Sequence, residues 1–156
     1  MSKPRTLFME TTEIAAEKTA GQITSLLIAC GARHIAMDYD AQGKITGMKF
    51  VLLVGGRMPF PFAMPVRTEP VFKILNGRRK FPYDRTNCAA KDRDQAERVA
   101  WRQLLRWLEA QLGMIDAGMA SAHEVFLPYL QDAQGKTAFE VFEATRFREL
   151  PEAKEA

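Results

Sequence analysis

Apolar residues recur along this chain at two different periods, and the changes of period divide it into a first helix, a sheet and a helical second half. Ile23, Leu26, Leu27 and Cys30 stand at i, i+3, i+4 and i+7, the spacing of one helix face, and Gly31 follows as a stop. Thr11 or Thr12 is a suitable cap, with Glu13 in the first turn, so the spacing predicts a helix over about 12–30. Ile35, Met37 and Tyr39 then alternate with Ala36, Asp38 and Asp40, and beyond the turn-like AQGK the residues Met48, Phe50 and Leu52 alternate again. Gly55-Gly56 supplies another turn. Met58, Phe60, Phe62 and Met64 keep the period of two with Pro59, Pro61 and Pro65 interleaved. Proline has no N–H to give to a ladder, so this strand is expected at a sheet edge. The three runs predict an antiparallel meander over about 33–65 with Met48, Phe50, Leu52, Phe60 and Phe62 turned toward helices. Its other face would carry Asp38, Asp40, Lys49 and Arg57 together with Val51 and Leu53, a surface suited to a partner or a second subunit.

The second half reads as helix. Thr68, Glu69 and Pro70 form a start signal for a short helix ending at Asn76-Gly77. A loop, GRRKFPYDRTNCAAKDR, follows. Asp94 and Glu97 have the spacing of a cap and its third helical residue, and introduce a long stripe of Trp101, Leu104, Leu105, Leu108, Leu112 and Ile115. Ser121 with Glu124 and Thr137 with Glu140 repeat the capping-box spacing before two shorter segments, the first bent or shortened by Pro128. The fold class expected is therefore α+β: a first helix, a three-stranded meander, and a mainly helical C-terminal half on one sheet face. Residues 1–150 read as a single domain and 151–156 as a flexible tail.

Composition changes this picture only in part. With 47% hydrophobic and 26% charged residues in 156, the chain has enough apolar material for a core without disulfides or metal. No apolar run is long enough to span a bilayer, and MSKPRTLFMETTEI lacks the apolar stretch of a signal peptide, so a cytoplasmic location is expected. Cys30 and Cys88 belong to no CxxC pair and read as free thiols. The net charge of +3 is mild, but its distribution is not. Residues 67–106 hold eleven basic and five acidic side chains, a surplus of six that leaves the rest of the chain at −3.

That basic band contains the most specific functional signal, the segment GRRKFPYDR. Arg78, Arg79, Lys80 and Arg85 can neutralise phosphates, while Phe81 and Tyr83 can stack on unpaired bases of any identity. The alternative is a solvated basic loop whose two rings cover the core. Arg98, Arg102 and Arg106 recur every four residues along one side of the long helix and would extend the same surface, or form an ordinary solvated face paired with Asp94 and Glu109. Trp101 reads as core; Trp107, off the main stripe, is open. Chemistry is thin by comparison. Asp38 and Asp40 read as turn residues more simply than as metal ligands, and His34 and His123 have no telling neighbours. GxSxG, HExxH, GxxxxGK and GxGxxG are all absent, so no catalytic residue, metal or cofactor is assigned and an enzyme is not expected.

The arrangement TTEIAAEKTAGQITSLLIACGARHIAMDYDAQGKITGMKFVLL, then PFPFAMPV, then WRQLLRWLEAQL through HEVFLPYL, resembles small proteins encoded by phages and prophages, over most of the chain. It is similar to phage proteins that accompany recombination genes and act as single-strand binding partners. The resemblance implies a single-stranded nucleic-acid binding or annealing accessory protein, with a homo-oligomer left open. The bacterial single-strand binding family ends in an acidic, phenylalanine-tipped tail; this chain ends LPEAKEA, so that recruiting function does not carry over. A protein-interaction module, such as a phage inhibitor or adaptor, is the alternative; no membrane partner is expected.

Overall fold

The computed structural model describes residues 6–54, 56–78 and 85–147. In chain order it consists of α1 (Ala16–Ala29), β1 (Arg33–Tyr39), β2 (Ile45–Val54), β3 (Met58–Pro65), α2 (Thr68–Gly77), α3 (Arg85–Asp116), α4 (Ala122–Phe126), a 3-10 turn (Leu127–Tyr129) and α5 (Ala138–Ala144). The strands form an antiparallel meander in the order β1-β2-β3, with Met37 opposite Met48 and Phe50 opposite Phe62. The expected α+β class and the meander over 33–65 are both observed. The residues 151–156, read as a tail, lie outside the described residues.

Alternation decides which side of the sheet is covered. Met48, Phe50, Leu52, Phe62 and Met64 are buried and Phe60 is half-buried, whereas Lys49, Leu53 and all three strand prolines are exposed. Pro59, Pro61 and Pro65 share the parity of residues whose backbone groups point away from β2, so their missing N–H groups fall on the outer edge. The Pro61 carbonyl on that edge accepts from the Gln131 N–H at 2.9 Å, and Phe62 bridges to Leu130. The proline strand is thus an edge that the segment after the 3-10 turn partly covers.

Gly47 has a different structural role from the turn glycines. A Cβ placed there would stand 2.9 Å from the Met64 carbonyl oxygen and 3.3 Å from the Pro65 Cα, both backbone atoms of β3. Gly47→Ala is therefore expected to force β2 and β3 apart and cost about 1–3 kcal/mol, the usual range for overpacking. Chemical denaturation checks this, and an unchanged midpoint would show that the two strands can separate freely at this end.

The core lies between the sheet and α1, α3 and α4. Phe50, Phe62 and Phe126 form a triangle with all three ring centroids 5.6 Å apart, in tilted and edge-on arrangements favoured by aromatic quadrupoles. Ile23 and Leu27 from α1 and Trp101, Leu105, Leu108 and Leu112 from α3 fill the remainder. A smaller cluster, Val71 with Ala96, Val99 and Ala100, seats α2 on α3, where the alanines let the backbones approach.

Three boundaries differ from expectation. Helix α1 begins at Ala16 behind Ala15, which supplies no side-chain cap, rather than at Thr11 or Thr12. The stretch before it is held out of helix by α3: Gln95 donates to the carbonyls of Glu10 and Thr12 at 2.8 and 2.9 Å, and Gln103 to that of Phe8 at 2.8 Å. Cys30, placed on the apolar stripe by spacing, is exposed just past the helix end. Helix α3 begins at Arg85, not at Asp94, so Asp94 and Glu97 are mid-helix neighbours one turn apart. Both accept from Lys44 Nζ, at 3.1 and 2.6 Å, which fastens the β1-β2 turn to α3 and holds the Lys44 pKa above its ordinary 10.5, chiefly through Glu97. The capping boxes at Ser121/Glu124 and Thr137/Glu140 are formed as expected. Pro128 ends α4 in a 3-10 turn.

Candidate nucleic-acid interface

The described part of the basic band runs through α2 and the first half of α3, which pack against each other. Arg78 caps the C-terminal end of α2. Its Nη1 donates to Glu10 Oε1 at 2.7 Å, while Glu10 Oε2 accepts from the Leu7 N–H at 2.7 Å. These bonds, the Arg78 one foremost, hold the Glu10 carboxyl below its ordinary 4.5. Arg78 is therefore an anchor for the N-terminal stretch as well as a cation beside the candidate segment. Arg79, Lys80, Phe81 and Tyr83 lie outside the described residues. Arg85 is the first residue of α3.

The arginine stripe does not form one solvated face, because α3 is enclosed on most sides. The sheet covers its Leu stripe, α1 packs beside Arg102, α2 covers Ala96 and Ala100, and residues 8–12 cross over Gln95 and Gln103. Arg102 is only 7% exposed; its Nη1 donates to Gln22 Oε1 at 2.5 Å and reaches Thr19 Oγ1 at 3.5 Å, and its Nε has no partner among the described residues. It belongs to the α1-α3 contact and is withdrawn from the interface. Arg98 donates to Gln95 Oε1 at 2.9 Å, not to Asp94, which Lys44 occupies. Arg106 pairs with Glu109 at 2.7 Å, as expected, and stays exposed.

The fold also brings forward cations that periodicity did not single out. Lys73 on α2 and Lys91 on α3 are both exposed, and Arg67 stands where β3 passes into α2. Arg93 lies 4.0 Å over the Phe72 ring and pairs with Glu69 at 3.2 Å, tying the two helices together. Spacing could have found Lys73 and Lys91 as the charged members of a helix pair.

A cavity of about 430 Å³ opens beside Arg67, between the end of β3, the two hairpin helices, the 3-10 turn and the start of α5. Trp107, Tyr129 and Phe139 supply its aromatic walls. Trp107 meets Tyr129 edge-on at 5.8 Å, and the Arg67 guanidinium lies 5.7 Å from the Phe139 centroid. This site draws on five separate elements, so no local pattern announced it.

Catalytic groupings are not brought together among the described residues, where no cluster of three or more His, Cys, Asp and Glu can hold a metal. Asp40 Oδ1 accepts from the N–H groups of Gln42 and Lys44, both at 2.9 Å, which makes it the turn residue it resembles. Asp38 pairs with Lys49 at 2.9 Å across the uncovered sheet face. His34 sits at φ +51° in a β1 irregularity, and His123 Nε2 lies 3.2 Å from Ser121 Oγ. Cys30 is an exposed free thiol, and among the described residues no helix is long and apolar enough to cross a membrane. Compared with known proteins, the chain matches no protein-family model, no curated protein and no solved structure.

Proposed function

We propose that this protein is a cytoplasmic, non-catalytic accessory factor of phage type that binds or anneals single-stranded nucleic acid through the α2-α3 hairpin. The observation that carries this reading is the placement of charge: residues 67–106 hold a surplus of six basic side chains against −3 for the rest of the chain, and the described part of that band runs through α2 and the first part of α3. A local surplus of cations attracts polyphosphate. Phe81 and Tyr83, in the sequence between α2 and α3, add sequence-tolerant stacking that needs unpaired bases. An electrophoretic shift with single and double strands at two salt concentrations tests it. Single strands are expected to be retained more strongly than duplex, with retention falling steeply as salt rises. Absence of retention at low salt would overturn the reading.

The uncovered sheet face favours a second reading, a protein-interaction module of inhibitor or adaptor type. Leu53 is 44% exposed there, beside Val51 and the prolines of β3. Under this reading a partner protein binds the sheet with little dependence on Lys73, Arg79 or Lys80, and oligonucleotides do not compete for it.

A further inference from the structure

The cavity beside Arg67 combines three properties that a plain packing defect would not need. Its walls are aromatic, its mouth holds a cation, and two hydrogen-bond acceptors line it. At about 430 Å³ it lies within the roughly 300–1,000 Å³ typical of small-ligand sites. Trp107 and Tyr129 are half-buried and not sealed in the core, and Phe139 is half-buried on the opposite side. Arg67 forms no ion pair among the described residues, and although its charge reaches the Glu140 carboxylate, its guanidinium can take an anion without breaking a salt bridge.

The acceptors are specified by the bonds their side chains already make. Gln103, which lines the cavity, donates its amide N–H to the Phe8 carbonyl, so its amide oxygen is still able to accept. Glu140 Oε2 accepts from the Thr137 N–H at 2.8 Å and from its hydroxyl at 3.1 Å. Those bonds hold the Glu140 carboxyl below its ordinary value, so it is anionic at neutral pH with Oε1 unused among the described residues. An occupant that suits this lining is flat, carries an amino group to meet the acceptors, and bears an adjoining anion to meet Arg67.

Building on the nucleic-acid reading above, we infer that this cavity receives one unstacked base carrying an exocyclic amino group, with Arg67 on the neighbouring phosphate. The ring stacks in the aromatic walls, and a carboxylate or amide oxygen accepting from an amino group is the pairing used to read cytosine or adenine edges. The position fits a continuous strand. Helix α2 runs from Arg67 to the candidate segment, ten residues or about 15 Å at 1.5 Å each, with Lys73 exposed on the way. Phosphates can follow that helix from the cavity to its C-terminal end.

Trp101 and Trp107 are the only tryptophans, and Trp101 is fully buried, so tryptophan emission reports on the cavity through Trp107. The intact chain is titrated with a short oligodeoxycytidylate and with an oligodeoxythymidylate of equal length, following both emission and the anisotropy of an end label. Oligodeoxycytidylate is expected to quench emission and bind the tighter of the two, and Trp107→Phe to abolish the quenching. Phe139→Leu keeps apolar volume but loses the stacking face, and is expected to weaken binding about 5- to 150-fold with an unchanged melting temperature. Glu140→Gln retains the capping box and is expected to narrow the preference for cytidylate. Salt-sensitive binding without quenching, or with Phe139→Leu at wild-type affinity, would overturn the inference and leave the hairpin reading standing. Equal affinity for the two oligonucleotides would overturn it as well. If neither oligonucleotide binds at low salt, both readings fall and the cavity is left to a protein side chain.

Discussion

Leu108→Ala is expected to lower the stability of the fold by about 2–5 kcal/mol, because truncating a fully buried leucine loses transfer free energy and leaves a cavity that rigid neighbours cannot close. Its neighbours are rigid for a stated reason: α3 is held by the sheet on one side and by α1, α2 and residues 8–12 on the others. Leu104→Ala should cost less, since Leu104 is half-buried and lines the cavity beside Arg67, where the space left is already open. The appropriate control is Arg106→Ala, an exposed change expected within about 0.5 kcal/mol. Arg102, which spacing alone would have recommended as the exposed control, is buried against Thr19 and Gln22. Denaturant midpoints for the three variants, with the slopes compared, measure the differences. A Leu108→Ala midpoint no lower than that of Arg106→Ala would show that the buried stripe of α3 is misassigned.

The contrast between Leu108 and Arg102 shows which features of the fold the chain makes legible. Period-two runs gave the strands because a sheet with one covered face must alternate: Met48, Phe50, Phe62 and Met64 are buried, while Tyr39 and Met58, at strand ends of the same runs, are exposed. The prolines added direction, since their missing donors fit only an edge. Capping boxes at Ser121 and Thr137 were legible for the same local reason, each being closed within four residues. The pair Asp94 and Glu97 has that same spacing but faces a long-range partner, Lys44, fifty residues away or more. Local pattern cannot separate the two uses. Likewise, three arginines four apart suggest one solvated face only if the helix has one uncovered side, and α3 is enclosed by elements contributed from across the chain. The aromatic cavity was invisible for that reason too: Arg67, Trp107, Tyr129 and Phe139 are separated in sequence and meet only through tertiary packing.

If the hairpin tip contacts single strands, its cations and its rings should contribute separably. Each phosphate neutralised releases condensed counterion, so log affinity falls with log salt by about 0.7 per contact on a single strand, and replacing Arg79 and Lys80 together should flatten that slope by about 1.4. Adding the Arg78 replacement should bring the change to about 2 only if its guanidinium leaves Glu10 to reach a phosphate. Arg78 is therefore the discriminating position within the basic run, because its guanidinium already holds Glu10. Phe81→Ala or Tyr83→Ala should instead weaken binding by roughly 1–3 kcal/mol per stacked base while leaving the slope nearly unchanged. Binding isotherms at several salt concentrations, with melting temperatures measured on the same variants, separate the two effects. Rings that cover the core would lower the melting temperature on truncation and reduce affinity only through unfolding. If the triple charge variant stays folded and binds single strands with an unaltered salt slope, the tip is not the phosphate-contacting surface. The sheet face and the protein-interaction reading then account better for the molecule, because its uncovered apolar residues need no nucleic acid to explain them.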